Sequence, residues 1–182
     1  MLFFFKNCII VLGRPLTTSE VKMPANIRGI ENVFFKAMAN GYAQNVKKDT
    51  IDGLPHSEVI AFELGDYRVV DFYFTTPHSD KSVGQTIVWH QDVPVWTMHY
   101  GGRYAKIAIP FLKECLHRAY VKERRFYGGR GPYFVRGDRF TYINQVRRES
   151  FTDFEGEEQV FDLSEQNLGH HWYRGMSLLK HD

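Results

Sequence analysis

Two blocks of strand-like sequence, each preceded by a helical pattern, constrain the fold of this chain more than any other feature. Apolar and polar residues alternate within short runs, as in half-buried β-strands. The first block has four runs: SEVIAFEL (57–64), YRVVDFYFT (67–75), GQTIVW (84–89) and PVWTMHY (94–100). The second also has four: PYFVR (132–136), RFTYINQV (139–146), EEQVF (157–161) and HHWYRG (170–175). The dipeptide GD (65–66) and the segment HQDV (90–93) predict tight hairpin turns in the first block.

A helical apolar stripe precedes each block of strands. The first stripe predicts an amphipathic helix that ends near Gly41. Its members are Ile30, Val33, Phe34, Ala37 and Met38. The second stripe consists of Ala108, Phe111, Leu112, Cys115, Leu116 and Ala119. Pro110 falls in the first turn of this second helix, where a missing N–H is tolerated.

The order of helix, four strands, helix and four strands suggests an internal repeat. Gly84 and Gly156 lie 72 positions apart, and each is followed at similar spacing by apolar residues, a tyrosine and a second glycine. We therefore predict an α+β domain of two related halves, at about 30–102 and 105–175. Each half contributes a helix and four strands to antiparallel sheet, with the helices packed on one face. Chance similarity is the alternative.

Residues 1–22 are predicted to be an N-terminal extension, and 23–182 a single domain, a length suited to one core. The extension is apolar but is interrupted by Lys6 and Asn7. It is too short to span a membrane and lacks the features of a signal peptide. Met23 is a candidate start of the natural protein, which would place the extension outside it. A short strand or a hydrophobic arm is the alternative.

Charge and cysteine content predict a cytoplasmic protein that does not bind membranes. Ten Lys/Arg and three Asp/Glu lie in 113–148, whereas 149–165 holds seven acids and no Lys or Arg. We interpret these stretches as solvated faces that pair with each other. Nucleic-acid binding by this chain alone is not expected, because the acids weaken the basic field and no helix-turn-helix is visible. Cys115 lies on the apolar face of the second predicted helix and is therefore expected in the core, and the composition fits a reducing compartment.

The segment VWTMHYGG (95–102) has residue types that suit either a core or the wall of a site. In a strand, Trp96, Met98 and Tyr100 share one face. The two glycines are expected to end the strand and turn the chain into the second helix. A hairpin that pairs Trp89 with Pro94 would add three residues to the same face: Gln85, Ile87 and Trp89.

The candidates for acid–base chemistry are Asp71, His99 and Glu158. Asp71 lies within an aromatic strand, where a buried carboxyl group would have a raised pKa or pair with an arginine. We predict Arg130, in the bend YGGRGP, as that arginine. The chain has no phosphate-cradling loop, serine or cysteine nucleophile motif, or metal-ligand spacing. No cofactor and no metal site is predicted.

Several segments in order also resemble a known family: FFKAMANGYA, YRVVDFYF, VGQTIVW…VPVWTMHYGG, GRGPYF and FEGEEQVF…WYRG. They are similar to a bacterial family of small uncharacterised proteins, classed as a domain of unknown function. Some of its members look like appendages to helix-turn-helix regulators. The resemblance covers about 33–180 and implies the fold and the cytoplasmic setting, without a known activity. The chain departs from the family pattern at Gln85 and His99, where the family prefers Glu and Asn, but keeps the acid at Glu158.

Three functions are compatible with these observations. The first is a small-ligand-binding or sensory domain with a cleft where the two halves meet, in which Arg130 orients a polar or anionic group. Its predicted lining is Trp96, Tyr100, Arg130, Tyr142 and Glu158. The second is an enzyme that uses Asp71, His99 or Glu158 as general acid or base, although the sequence leaves catalysis open. The third is an interaction module that docks a protein partner, or a second copy in a homodimer, through an aromatic sheet face.

Overall fold

Ten helices and strands form the framework in the computed structural model, which describes residues 24–41 and 48–180. The helices are α1 (Ile27–Gly41) and α2 (Ile109–His117). The first four strands are β1 (Ser57–Leu64), β2 (Tyr67–Thr75), β3 (Lys81–His90) and β4 (Val93–Tyr104). The last four are β5 (Phe134–Arg136), β6 (Phe140–Ser150), β7 (Asp153–Asp162) and β8 (Asn167–Ser177). The predicted extension at 1–22 lies outside the described residues.

The strands form one eight-stranded antiparallel sheet in the order β1-β2-β3-β4-β8-β7-β6-β5. Each block of four strands pairs as consecutive hairpins, and the blocks join where β4 pairs with β8. The predicted mixed architecture, with two helices and an antiparallel sheet, is therefore confirmed. Within the described residues, no helix is long and apolar enough to cross a membrane.

A β-bulge in the β3–β4 hairpin overturns the predicted membership of the Trp96 face. Trp89 pairs with Pro94 as predicted, but Val88 pairs with Trp96, so Val95 is an extra residue on β4. The extra residue shifts the register by one and exchanges the faces of the paired side chains. The residues of β3 that share the face of Trp96 are Gly84, Thr86 and Val88, and not Gln85, Ile87 and Trp89.

The two glycines of VWTMHYGG lie inside β4 and do not end it, contrary to the prediction. They sit opposite β8, where Gly101 pairs with Trp172 and Gly102 with His171. A Cβ on Gly101 would lie 2.9 Å from the Trp172 ring. Gly102 has φ +151°, and a Cβ there would lie 2.0 Å from the His170 carbonyl oxygen. The glycines therefore allow the two central strands to approach closely.

Trp96 lies at the centre of the hydrophobic core and is fully buried. Its ring stacks on Phe151 and Phe154 at centroid distances of 5.1 and 5.2 Å, and contacts Phe34 of α1 at 5.1 Å. Its Nε1–H donates to the Phe151 carbonyl oxygen at 2.8 Å. The predicted stripe of α1 is buried in this core, and Cys115 is buried as expected.

The basic and acidic stretches pair with each other across neighbouring strands, as predicted. Arg148 contacts Asp153 and Glu155 at 2.9 and 2.6 Å, and Arg147 contacts Glu157 at 2.9 Å. Pairs of this kind, open to solvent, contribute about 0 to 1 kcal/mol each. They therefore affect the distribution of surface charge more than the free energy of unfolding.

Candidate functional site

A cavity of about 540 Å³ lies between α2 and the sheet, on the face that carries Trp96. Tyr100 and Tyr104 of β4 and His171 of β8 line its sheet side, and Leu112 and Leu116 line its helix side. The volume falls within the range of about 300 to 1,000 Å³ that is usual for small-molecule sites. The alternation of β4 directs both tyrosines to this face.

One wall of the cavity contains Arg130, which forms a buried ion pair with Glu158 behind it. Arg130 donates from Nε and Nη2 to Glu158 Oε1, at 2.8 and 2.5 Å. The Tyr104 hydroxyl donates to the same oxygen at 2.6 Å, and the Tyr142 hydroxyl donates to Oε2. Arg130 is carried inward by the YGGRGP bend, in which Gly128 has φ +71°. The carboxylate therefore holds the arginine and two tyrosines in fixed positions.

The ion pair sets the protonation of the groups around it. Burial alone would raise the pKa of Glu158, but the charge and hydrogen bonds of Arg130 hold this pKa below its ordinary value. Burial, reinforced by the Glu158 charge, raises the pKa of Tyr104 and of Tyr142 well above the ordinary value. At neutral pH the carboxylate is therefore ionised and both hydroxyls keep their protons.

His171 is the one side chain here whose buried ring nitrogens both lack a hydrogen-bond partner among the described residues. It is 5% exposed and its ring lies 4.5 Å from the Tyr104 ring and 6.3 Å from the Tyr100 ring, between centroids. Burial, together with the positive charge of Arg130, lowers its pKa to about 4. The neutral imidazole at pH 7 therefore carries one buried donor and one buried acceptor at the edge of the cavity.

The pKa of His171 predicts a loss of stability in weak acid. As the pH falls below about 6.5, the unfolded chain binds a proton that the folded histidine accepts only near pH 4. Between pH 7.5 and 5, this difference lowers the free energy of unfolding by about 2 kcal/mol. We expect the decrease in the free energy of unfolding between these pH values to be about 2 kcal/mol larger for the wild type than for a His171→Phe variant. Urea unfolding of both proteins at both pH values measures it. Parallel pH profiles would contradict the buried neutral histidine.

The structure brings together five of the seven site residues predicted from the sequence, all but Trp96 and His99. Tyr100 and Arg130 line the cavity, while Glu158 and Tyr142 lie behind Arg130 as its support. Trp96 is not among the lining residues, because it belongs to the aromatic core. Its predicted place in the cleft is corrected accordingly.

Of the other two acid–base candidates, Asp71 lies behind the cavity residue Tyr100, and only His99 lies away from the cavity. Asp71 is buried on β2 and accepts hydrogen bonds from Thr86 Oγ1 at 2.5 Å and from the Tyr100 hydroxyl at 2.9 Å. Arg130, predicted from the sequence as the partner of Asp71, forms an ion pair with Glu158. His99 is exposed on the opposite sheet face, where its ring nitrogen lies 3.3 Å from the amide nitrogen of Gln85.

Tyr104 and His171 were not predicted from the sequence as cavity residues, and neither were three lysines that line the cavity: Lys81, Lys106 and Lys113. Adjacent histidines in a strand point to opposite faces, and the structure places His170 beside Glu157 on the outer face and His171 inside. The alternation could have identified one inward histidine, but nothing local marked which of the two it is. In the part of the chain that the structure describes, no three His, Cys, Asp or Glu side chains cluster as metal ligands.

Comparison with known proteins gives a family match that spans most of the sheet. Residues 71–176, from β2 to the end of β8, match the family model of DUF5680, a domain of unknown function. No curated protein and no solved structure matches the chain. The match covers more than half of the 182 residues and includes Arg130, Glu158 and His171. The chain therefore belongs to the DUF5680 family.

Proposed function

We propose that this protein binds a small molecule in the cavity between α2 and the sheet. The observation that carries the proposal is His171, whose two ring nitrogens are buried beside the cavity without a hydrogen-bond partner among the described residues. A buried polar group left unsatisfied costs about 1 to 3 kcal/mol, so it calls for a specific cause. A ligand that both donates to and accepts from the imidazole, after a small rotation of the ring, supplies the missing partners.

The surrounding groups support a preorganised site. Arg130 is fixed by Glu158, and the Tyr100 hydroxyl is fixed by its hydrogen bonds to Asp71. Leu112 and Leu116 add apolar surface on the opposite wall. A few oriented polar groups facing an apolar wall are typical of small-molecule sites.

We further propose that the site lies at the junction of two halves related by duplication. The strand order reads symmetrically about the β4–β8 pair. Gly84 pairs with Tyr100, whose hydroxyl donates to Asp71; Gly156 pairs with Tyr173, whose hydroxyl donates to Asn144. These matching contacts support a common origin of the halves.

A sensory module of the bacterial cytoplasm is the role that this proposal favours, in keeping with the resemblance to appendages of regulators. The carboxylate of Glu158 is engaged by Arg130 and two tyrosines, which favours binding over acid–base chemistry at this residue. The docking alternative would instead use the opposite sheet face, where Val83 and Trp172 are 51% and 45% exposed.

Filling the cavity is expected to abolish ligand binding. We expect a thermal-shift screen of the full chain against a broad metabolite panel to yield a ligand that raises the melting temperature by about 5 to 10 °C at a hundredfold excess over its Kd. The Leu112→Trp variant, in which an indole occupies the cavity, should lose this shift. Val83→Trp, on the outer face, is the matched control and should keep it. A shift that survives in Leu112→Trp would place the ligand elsewhere, and a panel without any hit would count against the proposal.

A further inference from the structure

Lysines from separate elements converge on the cavity. Lys81 begins β3, Lys106 lies in the turn before α2, and Lys113 lies on α2 itself; all three line the cavity. Within the described chain, none of these three side chains forms an ion pair. Exposed lysines brought together without acidic partners attract an anion.

The acids at the cavity leave this positive charge largely uncompensated. Glu58 contacts Lys48 at 2.6 Å, and Glu158 is paired with Arg130. Among the described lining residues, Asp80 is the acid that remains. One carboxylate set against three ammonium groups leaves the cavity with a net positive charge.

The rest of the lining suits an apolar body. Ile60 of β1 faces Ile109, Leu112 and Leu116 of α2 across the cavity. An inorganic anion would leave this apolar surface uncovered, whereas an organic ligand would bury it. The lining therefore combines apolar walls with a cationic set of side chains.

We propose that the ligand is an organic anion with an apolar body, whose carboxylate, sulfonate or phosphate group pairs with Lys81, Lys106 and Lys113. This inference rests on the binding function proposed above and specifies its ligand class. The body lies against the isoleucines and leucines, and the charged group lies toward the lysines, whose long side chains can follow it.

Two dyes with one aromatic body test the inference on the full chain. 1-Anilinonaphthalene-8-sulfonate carries an anionic group, and N-phenyl-1-naphthylamine is the same molecule without it. We expect fluorescence titrations to show about tenfold tighter binding of the sulfonate, the effect of several solvent-exposed charge pairs. The triple variant Lys81→Gln, Lys106→Gln, Lys113→Gln should lose this tenfold preference and bind the neutral dye as the wild type does. Added salt should weaken the binding of the sulfonate dye and leave the binding of the neutral dye unchanged.

Two further variants separate failure of the inference from failure of the proposed function. Leu112→Trp should lower the affinity for both dyes, and Val83→Ser on the outer face should change neither. In one outcome, Leu112→Trp lowers both affinities as expected, but the wild type binds both dyes equally or the lysine variant weakens the binding of both dyes alike. The anionic ligand is then excluded, and binding in the cavity stands. If Leu112→Trp leaves both affinities unchanged, the dyes bind outside the cavity, and both the inference and the proposed function are contradicted.

Discussion

Replacing Arg130 by methionine is expected to lower the free energy of unfolding by about 3 to 5 kcal/mol at pH 7. The substitution leaves Glu158, whose side chain is 0% exposed, as a buried charge without a cation. The hydroxyl donors of Tyr104 and Tyr142 would remain, but they do not replace the guanidinium charge. Urea unfolding followed by fluorescence and by circular dichroism measures the loss and checks that the transition is two-state.

The same variant should show a distinctive pH dependence. Without Arg130, we expect burial to raise the pKa of Glu158 above its unfolded value, because the group that lowers this pKa most is gone and only the weaker effects of His171 and Tyr104 oppose burial. A carboxyl whose folded pKa is raised is stabilised by protonation, so the deficit relative to the wild type should shrink as the pH falls from 7 to 5. Glu158→Gln is the control, because it leaves a buried arginine that does not neutralise in this range, and its deficit should stay constant.

Removing both charges tests whether the two side chains act as one unit. The double variant Arg130→Met, Glu158→Gln keeps an acceptor for the two tyrosine hydroxyls and leaves no buried charge. We expect it to be more stable than either single variant, because isolated buried charges cost more than the pair contributes. Two results would show that the pair is exposed to solvent in the folded protein. One is a loss of unfolding free energy in the double variant that equals the sum of the two single losses, and the other is a loss below about 1 kcal/mol for Arg130→Met alone.

The local parts of the fold could be predicted from the sequence. The bounds of β1 and β2 agree with the predicted runs to the residue, because both runs are rich in β-branched and aromatic residues and are separated by the turn at Gly65. The bulge in the β3–β4 hairpin could not be predicted, since one extra residue in a strand, here Val95, leaves composition and propensity unchanged. That single residue was enough to assign Gln85, Ile87 and Trp89 to the wrong face.

The candidate site depends more on long-range contacts, and its prediction was correspondingly incomplete. Tyr100 follows from alternation within β4, and the glycines of YGGRGP indicated a bend that Arg130 could anchor. The partner of Arg130 could not be read from the chain, because both Asp71 and Glu158 lie within aromatic strands and only the sheet order decides between them. The three lysines have no shared local pattern, since a strand, a turn and a helix each contribute one.

Trp96 provides the sharpest test of core against binding site. Truncating it to alanine is expected to destabilise the protein by about 3 to 5 kcal/mol, because a fully buried indole leaves a cavity among Phe34, Phe151 and Phe154. The substitution also leaves the Phe151 carbonyl without the Nε1–H donor. Trp172→Ala is the matched control on the outer face, where the side chain is 45% exposed, and should cost about 1 kcal/mol or less. Urea unfolding at pH 7 measures both.

Ligand affinity then decides between the two roles of Trp96 that its sequence context allows. The milder variant Trp96→Phe keeps an aromatic ring in the core, and its retained near-ultraviolet circular dichroism would show that the packing survives. Because Trp96 is not part of the cavity lining, this variant should bind 1-anilinonaphthalene-8-sulfonate with wild-type affinity. A weakened affinity in a variant that is still well packed would mean that the indole touches the ligand, as the sequence analysis predicted. Unchanged affinity combined with lost stability assigns Trp96 to the core alone, and leaves Tyr100 as the residue of VWTMHYGG that faces the ligand.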